Sequence, residues 1–159
     1  FVLDDLPAWS PRLRSRAIVR ASETRHFTDP AIAAYFLQAY PQDLMMDMNT
    51  FGFLFESLVV RDLRVYAQAL HGHLAHYLDN TGLEADAIVH LPDGQWAAVE
   101  VKLGSRQVDQ GARNLLTLKD KIDTSSMRAP AFLMVVTGTE YAYTREDGVH
   151  VIPLGCLKP

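Results

Sequence analysis

Four charged residues stand close together in otherwise apolar sequence: Glu84, Asp86, Glu100 and Lys102. Glu100 sits among Ala97, Ala98, Val99 and Val101, which read as a central strand. A carboxylate in such surroundings is desolvated and needs a partner. Glu84 to Leu91 and Trp96 to Leu103 are short runs rich in Ala, Ile and Val, separated by Pro92-Asp93-Gly94. That pattern predicts two strands joined by a hairpin. A two-residue loop at Asp93-Gly94 would set Glu100 opposite Ala87, on the face away from Asp86. A three-residue loop suits the residues better. Pro92 and Asp93 fit a type I turn, and Gly94 fits the left-handed residue of the bulge that follows. Leu91 then faces Gln95, Asp86 faces Glu100 and Glu84 faces Lys102. Side chains alternate along a strand, so all four charges converge on one side of the hairpin. Directly opposed Cβ atoms lie about 4.5–5.5 Å apart.

Two carboxylates that close raise each other's pKa unless a cation lies between them. Oxygen ligands alone suit Mg²⁺ or Mn²⁺ better than zinc. Such a metal binds a phosphate oxygen and activates water for in-line attack on phosphorus, with Lys102 placed to orient that water and offset developing charge. The plainer reading is a solvent-facing edge with ordinary cross-strand pairs. It accounts for Glu84 and Lys102 but poorly for Glu100. Glu56 lies beside an apolar helical stripe of Val59, Val60 and Leu63. It either joins the metal site or pairs with an arginine such as Arg61 or Arg64. The candidate catalytic residues are therefore Asp86, Glu100 and Lys102. The candidate metal ligands are Asp86, Glu100 and Glu56, with Glu84 and Gln107 in support. Gln107 and Gln110 could face nucleic acid, or simply be exposed helix positions.

The elements that must hold this hairpin follow from periodicity. Asp29-Pro30 is a helix start, with Asp as N-cap and Pro at the first position. Ile32, Tyr35, Phe36 and Ala39 continue it, and Pro41 should end it. A long amphipathic helix should begin at Asn49 or Thr50 and run to about Leu70. Leu74 to Leu78 reads as a strand, followed by the turn Asp79-Asn80-Thr81-Gly82. Gly104-Ser105 introduces a helix over about Arg106 to Ile122, with Val108, Ala112, Leu115 and Ile122 facing inward. Ala131 to Thr137 reads as a buried strand. Tyr141 to Thr144 and Val149 to Leu154 read as a terminal hairpin turned at Asp147-Gly148. The predicted division is an N-terminal extension with a helix over residues 1–48 and an α/β domain over 49–159.

The chain has 159 residues, 48% of them hydrophobic, and a net charge of −4. These values give a globular domain and argue against a strongly basic nucleic-acid binder. A local cluster of Arg12, Arg14, Arg16 and Arg20 is either a solvated or domain-facing segment or a contact to a phosphate backbone. No apolar run is long enough to span a membrane, and no signal peptide is visible. The single cysteine, Cys156, suits a reducing cytoplasm. The segment His71-Gly72-His73-Leu74-Ala75-His76 suggests a transition metal only weakly. His76 points away from the other two in a strand, and no cysteine pair is near. Beginning at Phe1 with sequence that already reads as ordered, the chain is expected to be a piece of a longer protein.

Asp86, thirteen intervening residues and Glu100-Val101-Lys102 resemble the D…(D/E)xK signature of the PD-(D/E)XK nuclease-like superfamily. The order α-β-β-β-α-β is similar to its restriction-endonuclease-like core, a mixed sheet flanked by helices. Arg25-His26-Phe27-Thr28-Asp29-Pro30, Thr50-Phe51-Gly52-Phe53-Leu54-Phe55-Glu56 and Leu83-Glu84-Ala85-Asp86 resemble the DUF4143 domain, the C-terminal part of a family of prokaryotic AAA+-type ATPases. The resemblance implies an upstream ATPase module, which agrees with the lack of a P-loop motif in this sequence. It also implies Asp86 and Glu100 as metal carboxylates, Lys102 as the catalytic lysine and Glu56 as the helix carboxylate. Two expectations follow. One is a Mg²⁺- or Mn²⁺-dependent phosphodiesterase acting on DNA or other nucleic acid. The other is a non-catalytic module that keeps the scaffold and docks to the ATPase part or a protein partner. The first requires an open cleft at the carboxylates; the second predicts a cleft closed or covered by the segment before Pro41. Oligomerisation is left open by the sequence.

Overall fold

The computed structural model describes residues 2–11, 19, 20 and 22–158. Of the arginine cluster, Arg12, Arg14 and Arg16 lie outside the described residues, and Arg20 is exposed. The architecture is mixed α/β, a sheet with a helix on each face. Two short strands, β1 (Leu3–Leu6) and β2 (Thr24–Phe27), pair antiparallel by themselves. Helices α1 (Pro30–Phe36), α2 (Pro41–Met46) and α3 (Met48–Ala69) follow. The main sheet is built from β3 (His73–Leu78), β4 (Glu84–His90), β5 (Trp96–Lys102), β6 (Leu133–Thr137), β7 (Tyr143–Thr144) and β8 (His150–Pro153). A 3-10 turn at Ser105–Gln107 leads into α4 (Val108–Lys121), which connects β5 to β6. Strand order is β3-β4-β5-β6-β8-β7. The β3/β4, β4/β5 and β7/β8 pairs are antiparallel, whereas β5/β6 and β6/β8 are parallel.

The two helices bury opposite faces of one sheet. Val59, Val60 and Leu63 of α3 pack with Ala87, Val99, Val101 and Val136. Ala112, Leu115 and Leu118 of α4, with Ile122 just beyond, pack with Ile88, Ala98, Val135 and Val151. Both faces of β5 are thus apolar, and the strand is buried from Trp96 to Val101. This is why its sequence reads as a continuous apolar run rather than an alternation. No helix among the described residues is long and apolar enough to cross a membrane.

Several boundaries differ from the periodicity reading. Asp47, not Asn49 or Thr50, caps α3, accepting from the Thr50 amide at 3.2 Å and from its hydroxyl at 2.6 Å. Helix α1 stops at Phe36, before it reaches Ala39 or Pro41, and Pro41 instead opens α2, where its missing N–H costs nothing. Helix α4 proper begins at Val108, because Ser105–Gln107 is wound more tightly. The N-terminal residues are part of the main core. Trp9 is buried against Trp96, ring centroids 4.6 Å apart, and its amide donates to the His76 carbonyl at 2.7 Å. His76 in turn donates its amide to the Pro7 carbonyl at 2.9 Å, so this segment covers the outer edge of β3.

Candidate functional site

The β4–β5 turn forms as a three-residue loop. The Gly94 amide donates to the Leu91 carbonyl at 3.0 Å, and Gly94 takes φ of +82°, the left-handed position. The ladder then runs from His90↔Trp96 to Ala87↔Val99. The next step in that register brings Asp86 level with Glu100. There the Asp86 side chain replaces the strand backbone as partner: its Oδ2 accepts from the Val101 amide at 2.6 Å. Glu84, the first residue of β4, is exposed and stands opposite Leu78 of β3.

Asp86, Glu100 and Lys102 do come together. Lys102 Nζ lies 2.5 Å from Glu100 Oε2 and 3.6 Å from Asp86 Oδ2. Glu100 is fully buried. Its Oε1 accepts from Asn114 Nδ2 of α4 at 3.2 Å. Its Oε2 has the charge contact to Lys102 but no aligned hydrogen bond. Burial first, and the charge of Asp86 second, push the Glu100 carboxyl up to about 7, despite Lys102 and Asn114. Burial works against the charge of Lys102, but Asp86 and Glu100 outweigh it and raise its pKa. Glu56 projects from α3 toward the same charges. Burial, then Asp86, push its carboxyl up to about 7, with Lys102 opposing. It does not pair with the arginines considered for it: Arg61 holds Asp62 at 2.8 Å and Arg64 holds Asp4 at 2.5 Å.

The charges lie where β5 ends between the two helices. Beside them is an open cleft of about 640 Å³, lined by Glu56, Phe53 and Met48 of α3 and by Lys102, Arg106 and Gln107. Among the described residues, none before Met48 lines it. Gln107 is exposed at the cleft wall. Gln110 instead bonds Asn114 at 2.9 Å and accepts from Arg113 at 2.8 Å, tying the helix surface to the residue that holds Glu100.

Asn114 and Gly111 are the residues that sequence reasoning missed. One helical turn apart, both lie at the margin of the inward stripe of Ala112 and Leu115, and that spacing was the available signal. At Gly111 a Cβ would lie 3.3 Å from Glu100 Cβ and 3.4 Å from Lys102 Cγ, so glycine lets α4 settle directly onto the site. Gly111→Val should therefore cost about 1–3 kcal/mol by overpacking, read as a lower urea midpoint. Gly111→Ala should be milder, because the helical preference of alanine over glycine, about 1 kcal/mol, offsets the tight contact.

Whether these residues suit a divalent cation can be tested on their own arrangement. Asp86 and Glu100 already approach one positive centre, the Lys102 ammonium, and a buried oxygen of Glu100 has no aligned donor. The charges of Asp86 and Glu84 also act on Glu56 and Lys102, so the ammonium that contacts Asp86 and Glu100 sits in a net negative field. Among the described residues, no three His, Cys, Asp or Glu side chains are close enough to hold a metal together. Two carboxylates are enough for Mg²⁺, which keeps several waters and takes one or two protein carboxylates plus phosphate oxygens. The donors fit such an ion, which would compete with Lys102 for them.

A mixed α/β domain with an acid–lysine cluster at the end of its central strand is the class that fold and site define. The chain belongs to the family described as domain of unknown function DUF4143, whose profile matches residues 51–157 and so spans the long helix, the site and the C-terminal strands. No curated protein and no solved structure is a significant match.

Proposed function

We propose that this domain is a PD-(D/E)XK-type phosphodiesterase with a restriction-endonuclease-like core. It uses Mg²⁺ or Mn²⁺ and acts on nucleic acid as part of a longer, ATPase-containing protein. The observation that carries the reading is the convergence of Asp86 and Glu100 on Lys102 Nζ at the margin of an open cleft. Asp86 and Glu100 would hold the ion. When bound, it supplies Lewis-acid stabilisation of a phosphoryl oxygen and a more acidic water. Lys102, released from the carboxylates, donates from Nζ to a phosphate oxygen in the cleft. Arg106 at the cleft wall holds a neighbouring phosphate. Glu56, held near neutral pKa, can exchange a proton at its carboxyl with a group in the cleft. The Asn114 amide keeps Glu100 oriented.

A second reading has its own observation. Tyr35, Phe36, Leu37, Tyr40, Met45 and Met46 are all more than half exposed in and between the short helices α1 and α2. An apolar run of that extent favours contact with another protein surface, in which case the domain docks to its ATPase part or a partner and the acid–lysine cluster is a relic. Titration calorimetry separates the two. The phosphodiesterase reading expects Mg²⁺ or Mn²⁺ binding to the protein that an Asp86→Ala/Glu100→Ala double variant loses. No heat at millimolar metal would favour the docking module.

A further inference from the structure

We propose that His73 and His90 form a two-imidazole site for a divalent transition metal of the Cu²⁺, Ni²⁺ and Zn²⁺ class. It lies at the opposite end of β4 from the acid–lysine cluster. The two histidines are direct partners in the β3–β4 ladder. Their ring centroids are 5.0 Å apart, with planes inclined by 43°. An imidazole bonded to metal at 2.0–2.1 Å places its centroid about 3.2 Å from the ion, so two rings sharing one ion at tetrahedral or right angles stand roughly 4.5–5.2 Å apart. The observed separation falls inside that window. Antiparallel pairing fixes both Cβ atoms, so little side-chain freedom remains to be lost when the rings close on an ion.

The surroundings agree. His73 is exposed and His90 half-buried, so an ion can enter and keep water in its remaining positions. Imidazole nitrogen, unlike the oxygen donors at Asp86 and Glu100, selects Cu²⁺, Ni²⁺ and Zn²⁺ over Mg²⁺. Asp86 and His90 are four residues apart on one strand, roughly 13 Å at the rise of a strand, so the two sites are separate. Within the sequence His73 invites comparison with His71 and His76, but the chain folds it against a histidine seventeen positions on.

Trp96, the ladder partner of His90, provides a reporter. Titration of the intact chain with Cu²⁺, which quenches nearby indole emission, should show saturable quenching at one equivalent. His73→Ala and His90→Ala should each weaken the midpoint by about tenfold or more, since one imidazole then binds alone. His73 is exposed, so its substitution leaves the fold intact. The His71→Ala and the Asp86→Ala/Glu100→Ala variants should titrate as the parent does. An unchanged midpoint in both His73→Ala and His90→Ala would overturn the assignment, as would loss of quenching in the Asp86→Ala/Glu100→Ala variant.

Discussion

Asp79→Ala should lower the folding free energy by about 3–5 kcal/mol, the range for breaking a buried charged network by removing one partner. Asp79 is fully buried at the end of β3, and five donors converge on its carboxylate. Oδ1 accepts from the Thr81 amide at 2.8 Å, the Thr81 hydroxyl at 2.6 Å and the Leu83 amide at 3.2 Å. Oδ2 accepts from the Tyr77 hydroxyl at 2.9 Å and from Lys121 Nζ at 2.6 Å. The network joins the β3–β4 turn to the last turn of α4. Alanine leaves the buried Tyr77 hydroxyl and two turn amides without their acceptor. Lys121, partly exposed, can turn to water, which limits the loss. A urea midpoint that falls with an unchanged slope is the expected reading; a change of less than about 1 kcal/mol would show that water replaces the carboxylate.

The same residue gives a pH dependence with a definite sign. Burial raises the Asp79 pKa, but hydrogen bonds from Lys121, Thr81 and Tyr77 outweigh it and hold the carboxyl well below the usual carboxylate range. A depressed native pKa means that the unfolded chain binds the proton first. The stabilisation is therefore complete above the unfolded value of about 3.9 and is lost as pH falls below it. Asp79→Asn should flatten the loss of stability in acid while lowering stability at neutral pH.

Sequence and structure agree best where one local rule decides the outcome. Pro92-Asp93-Gly94 selects a loop of three residues, the loop sets the register, and the register brings Asp86 level with Glu100. Asp29-Pro30 likewise starts α1, with the Asp29 carboxylate accepting from the Ala31 amide at 2.9 Å. What was not legible depends on partners far away in the chain. Trp9 looks like a loop residue until the buried face of Trp96 is there to receive it. Asp79 reads as a turn former, and it is one, but Lys121 forty-two positions on makes it a buried anchor. Asn114 looks like an exposed helix position because the oxygen it serves belongs to another element. Strands β1 and β2 are too short to show a period, and they pair with each other across a segment of the chain.

Lys102→Met should separate the roles that the acid–lysine cluster combines. Among the described residues, Lys102 is the one cation in contact with both Asp86 and Glu100. Methionine keeps the length of the side chain and removes that charge. If the cluster is only a structural ion pair, the substitution leaves Glu100 buried and unpaired, and the result is a loss of stability with no metal response. If the cluster serves a divalent ion, the ammonium is a competitor, and its removal should tighten Mg²⁺ or Mn²⁺ binding several-fold in calorimetry. Binding of the ion then restores stability in proportion to its occupancy. Cleavage of nucleic acid should nevertheless fall by about 10²–10³-fold, the usual cost of removing one donor from a developing anion. Tighter metal binding with lost turnover is an outcome that the ion-pair reading does not produce. Unchanged or weaker metal binding would instead show that Lys102 helps assemble the carboxylates. The proposed role of its Nζ in the cleft would then fall.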